Sequence, residues 1–154
     1  MGNNLIRKAK IQDIKALHAL INSFAGDDLM LPRSLSELYD NLRDYWVAQE
    51  GRRIVGCCAL HVSWGDLAEV KSLAVAKRRQ KKGIGGLLLA ASLDEAKELG
   101  AKKVFALTYV PRFFSKNGFK RIKHAQLPHK IWAECIKCPK FPECDEIAMI
   151  KNIS

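Results

Sequence analysis

The stretch from Leu73 to Gly86 constrains this chain more than any other. Leu73-Ala74-Val75 reads as an apolar strand, and Lys77 to Lys82 is a loop with five lysines and arginines in six positions. Gly83-Ile84-Gly85-Gly86 then opens an amphipathic helix marked by Ile84, Leu87, Leu88 and Ala91. A strand that feeds a glycine-rich helix start calls for a mixed α/β domain. The free N–H groups at such a start favour an anion, and glycines let those amides approach it closely. Two familiar phosphate motifs do not fit. There is no G-x-x-x-x-G-K-[ST], and Leu88 occupies the third-glycine position of G-x-G-x-x-G.

The charge distribution agrees with an anionic ligand near this loop. The 154 residues carry a net +10; residues 1–69 hold 8 basic and 9 acidic side chains, residues 70–154 hold 18 and 7. At 48% apolar residues the chain is globular rather than a disordered basic tail. A basic loop alone would also suit nucleic acid, but aromatics at 8% leave little for a stacking surface, so nucleic acid is not the expected partner. No apolar run reaches the roughly 18–20 residues that span a bilayer, and Met1 to Lys8 does not read as a signal peptide. We expect a single cytoplasmic domain over residues 1–154, without membrane contact; the sequence leaves a homodimer open.

The flanking elements complete a βααβββαβαβ order with a cysteine-bearing insertion and a final strand. Leu5–Ala9 is the first strand, and Ile14, Leu17, Ile21 and Phe24 mark a helix with Asp13 at its positive end. Ser34 and Glu37 form a capping box for a second helix. Tyr45–Gln49 and Ile54–Val62 predict a hairpin about Glu50-Gly51-Arg52, and Leu67–Val75 the next strand after Gly65-Asp66. The helix after the basic loop stops at Gly100. Val104–Leu107, a short helix over Arg112–Asn117, and strands at Phe119–Ile122 and Glu146–Ile153 follow. This is one mixed sheet with helices on both faces.

The run Gln80-Lys81-Lys82-Gly83-Ile84-Gly85 resembles the Q/R-x-x-G-x-G/A pyrophosphate signature of the GNAT superfamily of acetyl-CoA-dependent N-acetyltransferases, and Phe113-Phe114-Ser115-Lys116-Asn117-Gly118-Phe119 is similar to its F-Y-x-x-x-G-F segment. The resemblance covers residues 4–125 and implies a GNAT-type, mostly antiparallel sheet. It implies acetyl-CoA as cosubstrate, held by Leu73, Ala74 and Val75 along the pantetheine arm and by Gln80, Lys81, Lys82, Gly83, Ile84, Gly85 and Gly86 at the pyrophosphate. Leu31-Pro32-Arg33-Ser34-Leu35-Ser36-Glu37-Leu38-Tyr39, Ala68 to Val75 and Phe105 to Thr108 resemble more narrowly the acetyltransferase domain of bacterial N-acetylglutamate synthases. The run Leu127 to Glu146 is similar to the short members of that group. A chain of 154 residues has no room for the amino-acid-kinase domain of the longer members, so arginine feedback through it is not expected.

An amino-acid acceptor such as L-glutamate brings carboxylates that demand cationic side chains, arginine above all. Arg33, Lys71 and Arg112 are the candidates; another small amine or a protein amine stays open as acceptor. The α-ammonium must lose a proton before attack, and Glu69 is the candidate base. The thioester carbonyl would take a main-chain N–H from Leu73–Val75. The tyrosine that often protonates the thiolate falls at Phe114, which has no proton to give; Ser115 and Tyr109 are near but off the matching position. For His18, His61 and His124 the sequence identifies no carboxylate or cysteine partner, and they read as structural or exposed. Cys57 and Cys58 read as small buried hydrophobes. Cys135, Cys138 and Cys144 make half of a metal signature, whose fourth ligand would be His129, His124 or a distant cysteine; reduced or incidentally paired thiols are the expected state, with a metal left open.

Overall fold

The computed structural model describes residues 4–26, 33–80, 82–128 and 146–154. Seven strands form one sheet: β1 (Asn4–Lys8), β2 (Tyr45–Glu50), β3 (Arg53–Trp64), β4 (Leu67–Val75), β5 (Lys103–Thr108), β6 (Lys120–Ile122) and β7 (Ile147–Asn152). Their spatial order is β1-β2-β3-β4-β5-β7-β6. Every pairing is antiparallel except β4 with β5. The helices are α1 (Ile14–Gly26), α2 (Leu35–Asp40), α3 (Ile84–Leu99) and α4 (Pro111–Lys116).

The two faces separate along the pleat, because successive strand residues point to opposite sides. Ile14, Leu17 and Ile21 of α1 and Leu38 of α2 pack on Tyr45, Val47, Cys57 and Ala59. On the other face Ile84, Leu88, Leu89 and Ala96 of α3, with Phe114 of α4, pack on Cys58, Leu60, Val70, Val104 and Met149. Cys57 and Cys58 thus face opposite cores, both fully buried, and burial pushes both thiols up, Cys58 to about 12. They behave as the small buried hydrophobes expected.

Local signals hold where they were strongest. Ser34 Oγ accepts from the Glu37 N–H at 3.1 Å and closes the capping box on α2. Gly100, at φ 93°, stops α3, and the next N–H, of Ala101, returns to the Ala96 carbonyl at 2.9 Å. Asp13 does more than complement a helix end. It accepts the Lys10 N–H at 2.7 Å and takes both Nη1 and Nη2 of Arg7, at 2.7 and 3.0 Å, so that β1 is tied to the start of α1. One boundary moves: Phe119, expected to open β6, closes the α4 turn, its N–H on the Phe114 carbonyl at 3.0 Å and its ring against Phe114. Among the described residues no helix is long and apolar enough to cross a membrane.

Candidate active site

The parallel strands β4 and β5 begin together and then part. Leu67, Ala68 and Glu69 pair with Lys103, Val104 and Phe105, and beyond Glu69 no further pair joins the two strands. Both continue, to Val75 and to Thr108, so a cleft opens between them with main-chain groups of β4 along one wall. Just beyond the fork β4 is irregular. Cys57 pairs with Ala74 and Ala59 with Lys71, so Ser72 and Leu73 together oppose Cys58 in a β-bulge. Ser72 takes φ 55°, the left-handed region that a residue with a Cβ adopts at a cost of roughly 1–2 kcal/mol.

Three neighbours hold Ser72 there. The Cys57 thiol donates to its carbonyl at 3.2 Å, the Tyr45 hydroxyl to its Oγ at 3.3 Å, and Arg33 Nε reaches the same Oγ at 3.5 Å. Burial of Tyr45 raises its phenol to about 12, so it stays a donor. The bulge also shifts the phase of β4. Ala68 and Val70 face α3 before it, Leu73 and Val75 after it, and Ala74 turns to α1. Glu69 and Lys71 therefore lie on the α1 side, Glu69 being only 9% exposed at the fork.

Arg33 belongs to the same face. Asn22 of α1 brackets its main chain, accepting the Arg33 N–H at 3.1 Å and donating to its carbonyl at 3.0 Å. Its guanidinium lies beside Ser72, with Glu37 at 3.6 Å. The structure thus gathers Arg33, Lys71 and Glu69 around the bulge. Arg112 stands apart: it is exposed on α4, whose Phe114 packs on the opposite face.

At the far end of β4 the chain turns through a 3-10 segment, Lys77–Arg79, into α3. Gln80 Nε2 donates back to the Val75 carbonyl at 3.1 Å and ties the loop to the end of β4. Arg79 pairs with Glu50, while Arg78 and Lys82 are exposed. Gly83 sits at φ 81° and its carbonyl takes the Leu87 N–H, the first bond of α3, at 3.1 Å. A Cβ on Gly83 or Gly86 would meet no protein atom within 4 Å, and one on Gly85 would touch the Phe113 ring at 3.4 Å. The N–H groups of Ile84, Gly85 and Gly86 precede the first intrahelical bond and so have no carbonyl partner within α3, and the Phe113 ring stands beside Gly85. Ile84 contributes only its main chain, its side chain being core. Lys81, Cys135, Cys138 and Cys144 lie outside the described residues.

A cleft between parallel strands, with a bulge beside it and a glycine helix start at its end, is a distinctive combination. A family model for the acetyltransferase (GNAT) domain matches residues 41–121, from the turn before β2 into β6. The chain belongs to the GNAT acetyltransferase family. It is 38% identical over 152 residues to an uncharacterized N-acetyltransferase of Chlorobaculum tepidum, covering 99% of this chain and 98% of that one. It is 32% identical over 133 residues to an amino-acid acetyltransferase of Mycobacterium tuberculosis, covering 84% of this chain and 76% of that one. An N-acetylglutamate synthase of Neisseria gonorrhoeae, solved with coenzyme A and N-acetyl-glutamate, superposes with a TM-score of 0.90 at 25% identity. That match covers 98% of this chain and 35% of the longer synthase.

In this GNAT domain Phe114 is 3% exposed and stacks edge-on with Phe113 and Phe119, so the position carries core packing and no acid. Ser115 is exposed, and Tyr109 is half-buried immediately after β5. Among the described residues no three histidine, cysteine or acidic side chains gather as a metal site. One neighbour of Glu69 escaped the sequence reading. His61 is not a lone side chain: its Nδ1 lies 2.7 Å from Asp44 Oδ2, and its Cα partner across the β3–β4 ladder is Glu69. The signal was faint but present, for Asp44 stands seven residues before Gly51 and His61 nine after Arg52, near-equal arms of the hairpin.

Proposed function

We propose that this N-acetyltransferase moves an acetyl group from acetyl-CoA to the α-amine of an amino acid, L-glutamate. The observation that carries the reading is the fork at Glu69, where β4 supplies a buried carboxylate and Lys71, and Arg33 reaches in beside Ser72, next to a cleft for the acetyl donor. The relatives support the acceptor class, since an amino-acid acetyltransferase and an N-acetylglutamate synthase are among them.

In this reading the cofactor pyrophosphate rests on the α3 amides of Ile84, Gly85 and Gly86, where the helix dipole and the Lys77–Lys82 loop favour negative charge. The pantetheine arm lies along the Leu73–Val75 edge of β4 as a further strand would, using main-chain groups that β5 has left. An N–H of that segment polarises the thioester carbonyl as charge develops on its oxygen. Arg33 and Lys71 take the acceptor's carboxylates. Glu69 removes a proton from the α-ammonium, directly or through a water, and the freed amine attacks the carbonyl carbon. The C–S bond then breaks, and the second proton of the attacking nitrogen passes through water to the departing coenzyme A thiolate, which is stable enough in water to leave without a dedicated acid. That is consistent with phenylalanine at position 114.

A product of this kind would serve arginine biosynthesis, and the reduced, buried Cys57 and Cys58 suit a cytoplasmic setting. Release of coenzyme A in the presence of L-glutamate, compared with a panel of other amino acids, small amines and lysine peptides, tests the proposal. We expect glutamate to lead by at least about tenfold in kcat/KM, the ratio that one satisfied carboxylate contact provides. No glutamate-dependent release would overturn the acceptor, and preference for a lysine peptide would move the acceptor to protein amines.

A further inference from the structure

The base reading leaves a difficulty that the structure answers. Each turnover would deposit a proton on Glu69, a carboxyl 9% exposed at the fork of two strands, and the next turnover requires that proton to leave. His61 lies directly across the β3–β4 ladder from Glu69. Opposed residues in an antiparallel pair have Cβ atoms about 4.5–5.5 Å apart and share a face. Here the shared face is that of α1, because Ala59 and His61 point one way and Leu60 the other. The far side of the imidazole is held by Asp44, at the end of the 3-10 turn Leu42–Asp44, at 2.7 Å from Nδ1.

An ionised carboxylate only accepts, so Nδ1 carries the hydrogen and donates to Asp44, which leaves the lone pair on Nε2. The ring is 31% exposed and Asp44 25%, so the pair touches solvent whereas Glu69 hardly does. Among the described residues, the charged and titratable groups placed with His61 on this face include Asp44 from the turn, Glu69 and Lys71 from β4, Tyr45 from β2, and Arg33 beside Ser72. The face that α1 turns to the sheet is apolar, with Ile14, Leu17 and Ile21.

We propose that His61, oriented by Asp44, is a positioning residue for Glu69 and the exit for its proton. This rests on Glu69 being the base. After the amine has given its proton to Glu69, the carboxyl O–H bond breaks and an N–H bond forms at His61 Nε2. Glu69 returns to carboxylate, the imidazolium is balanced by Asp44, and the half-exposed ring passes the proton to water. No other reactant is needed.

The test uses the full chain with acetyl-CoA and L-glutamate, or a better amino-acid acceptor if one is found, and measures kcat and KM against pH. Glu69→Gln should lower kcat by at least about 100-fold. His61→Gln should lower it by about tenfold, with the acceptor KM and coenzyme A binding changed by less than about threefold. In the wild type both Glu69 and His61 must be deprotonated, so the acid limb of log kcat steepens toward a slope of two; in His61→Gln it should fall to one. Imidazole added to His61→Ala should restore part of the lost rate. If Glu69→Gln is inactive but His61→Gln keeps kcat within twofold and the same acid limb, the relay is wrong and the base stands. Loss of activity in His61→Ala that imidazole does not restore, with an unchanged slope in His61→Gln, reduces His61 to packing and also overturns it. A fully active Glu69→Gln overturns the base and the relay together.

Discussion

The Tyr45 hydroxyl donates to Ser72 Oγ at 3.3 Å, from the α1 side of the sheet onto the one described non-glycine residue with a positive φ. This bond, with those of Cys57 and Arg33, stabilises the bulge that lies just beyond the β4–β5 fork.

Ser72→Val follows directly. A β-branched residue resists the left-handed region, and the Oγ that receives Tyr45 and Arg33 disappears with it. We expect a loss of about 2–3 kcal/mol in unfolding free energy, read by denaturant melts, together with a large loss of coenzyme A affinity. Ser72→Gly relieves the φ strain instead. It should keep the melting temperature within a few degrees while raising the acceptor KM, because Arg33 loses its side-chain partner.

Gly83 and Gly86 separate conformation from space. Gly83→Ala places a Cβ on a residue at φ 81° and should cost roughly 1 kcal/mol of stability. Gly86→Ala meets no protein atom within 4 Å and lies in a helix, so it should be neutral or slightly stabilising by the same melt. In a titration with coenzyme A both variants should bind at least about tenfold more weakly, the loss of one good phosphate–amide contact. A Gly86→Ala protein that binds as wild type would show that the pyrophosphate does not rest on the α3 start.

Much of this architecture could be read before the structure, for identifiable reasons. β4 was bounded at Leu67–Val75 because Gly65-Asp66 and the basic loop punctuate it on both sides, and α2 because Ser34 and Glu37 cap it. The glycine helix start was legible because the chemistry there is main-chain. The bulge was not, since a serine in the left-handed region leaves no trace in sequence; its partners Tyr45, Cys57 and Arg33 come from three distant segments. Nor could pattern decide on which face Lys71 or Arg112 falls, because the bulge resets the pleat of β4 and six residues of α4 do not define a stripe. The Asp44–His61 pair was obscured by a second bulge at Val55, which shifts the β2–β3 register.

Arg33 offers a test of substrate contact. Its main chain is fixed by Asn22 and its guanidinium by Ser72, so the fork of donors is presented with little entropy left to lose. The Glu37 pair, at 3.6 Å with Glu37 half-exposed, contributes little. Arg33→Lys should raise the amino-acid KM by about 10–100-fold, the worth of a charge-assisted bidentate contact, and weaken coenzyme A binding far less, because Tyr45 and Cys57 still hold Ser72. Equal KM values in the two proteins would remove Arg33 from the acceptor site.

The Arg7–Asp13 pair predicts how stability responds to acid. Asp13 is 6% exposed at its side chain and Arg7 21%, and the Arg7 hydrogen bonds hold the Asp13 carboxyl below its usual value of 3.8, helped by the Lys10 N–H against the effect of burial. A carboxyl whose value is depressed on folding stabilises the native state at pH above its unfolded value. That contribution is lost as pH falls through the folded value, because the unfolded chain then binds the proton first. Asp13→Asn leaves the Arg7 charge without its partner and should cost about 3 kcal/mol near neutral pH. The wild-type stability curve should bend downward from about pH 4 while that of Asp13→Asn bends less, so that the gap narrows as the acid limb is descended. Urea melts at a series of pH values measure this. A gap that stays constant from pH 7 to below 3 would mean that Asp13 acts through its Lys10 hydrogen bond and packing, and that its charge on Arg7 contributes nothing.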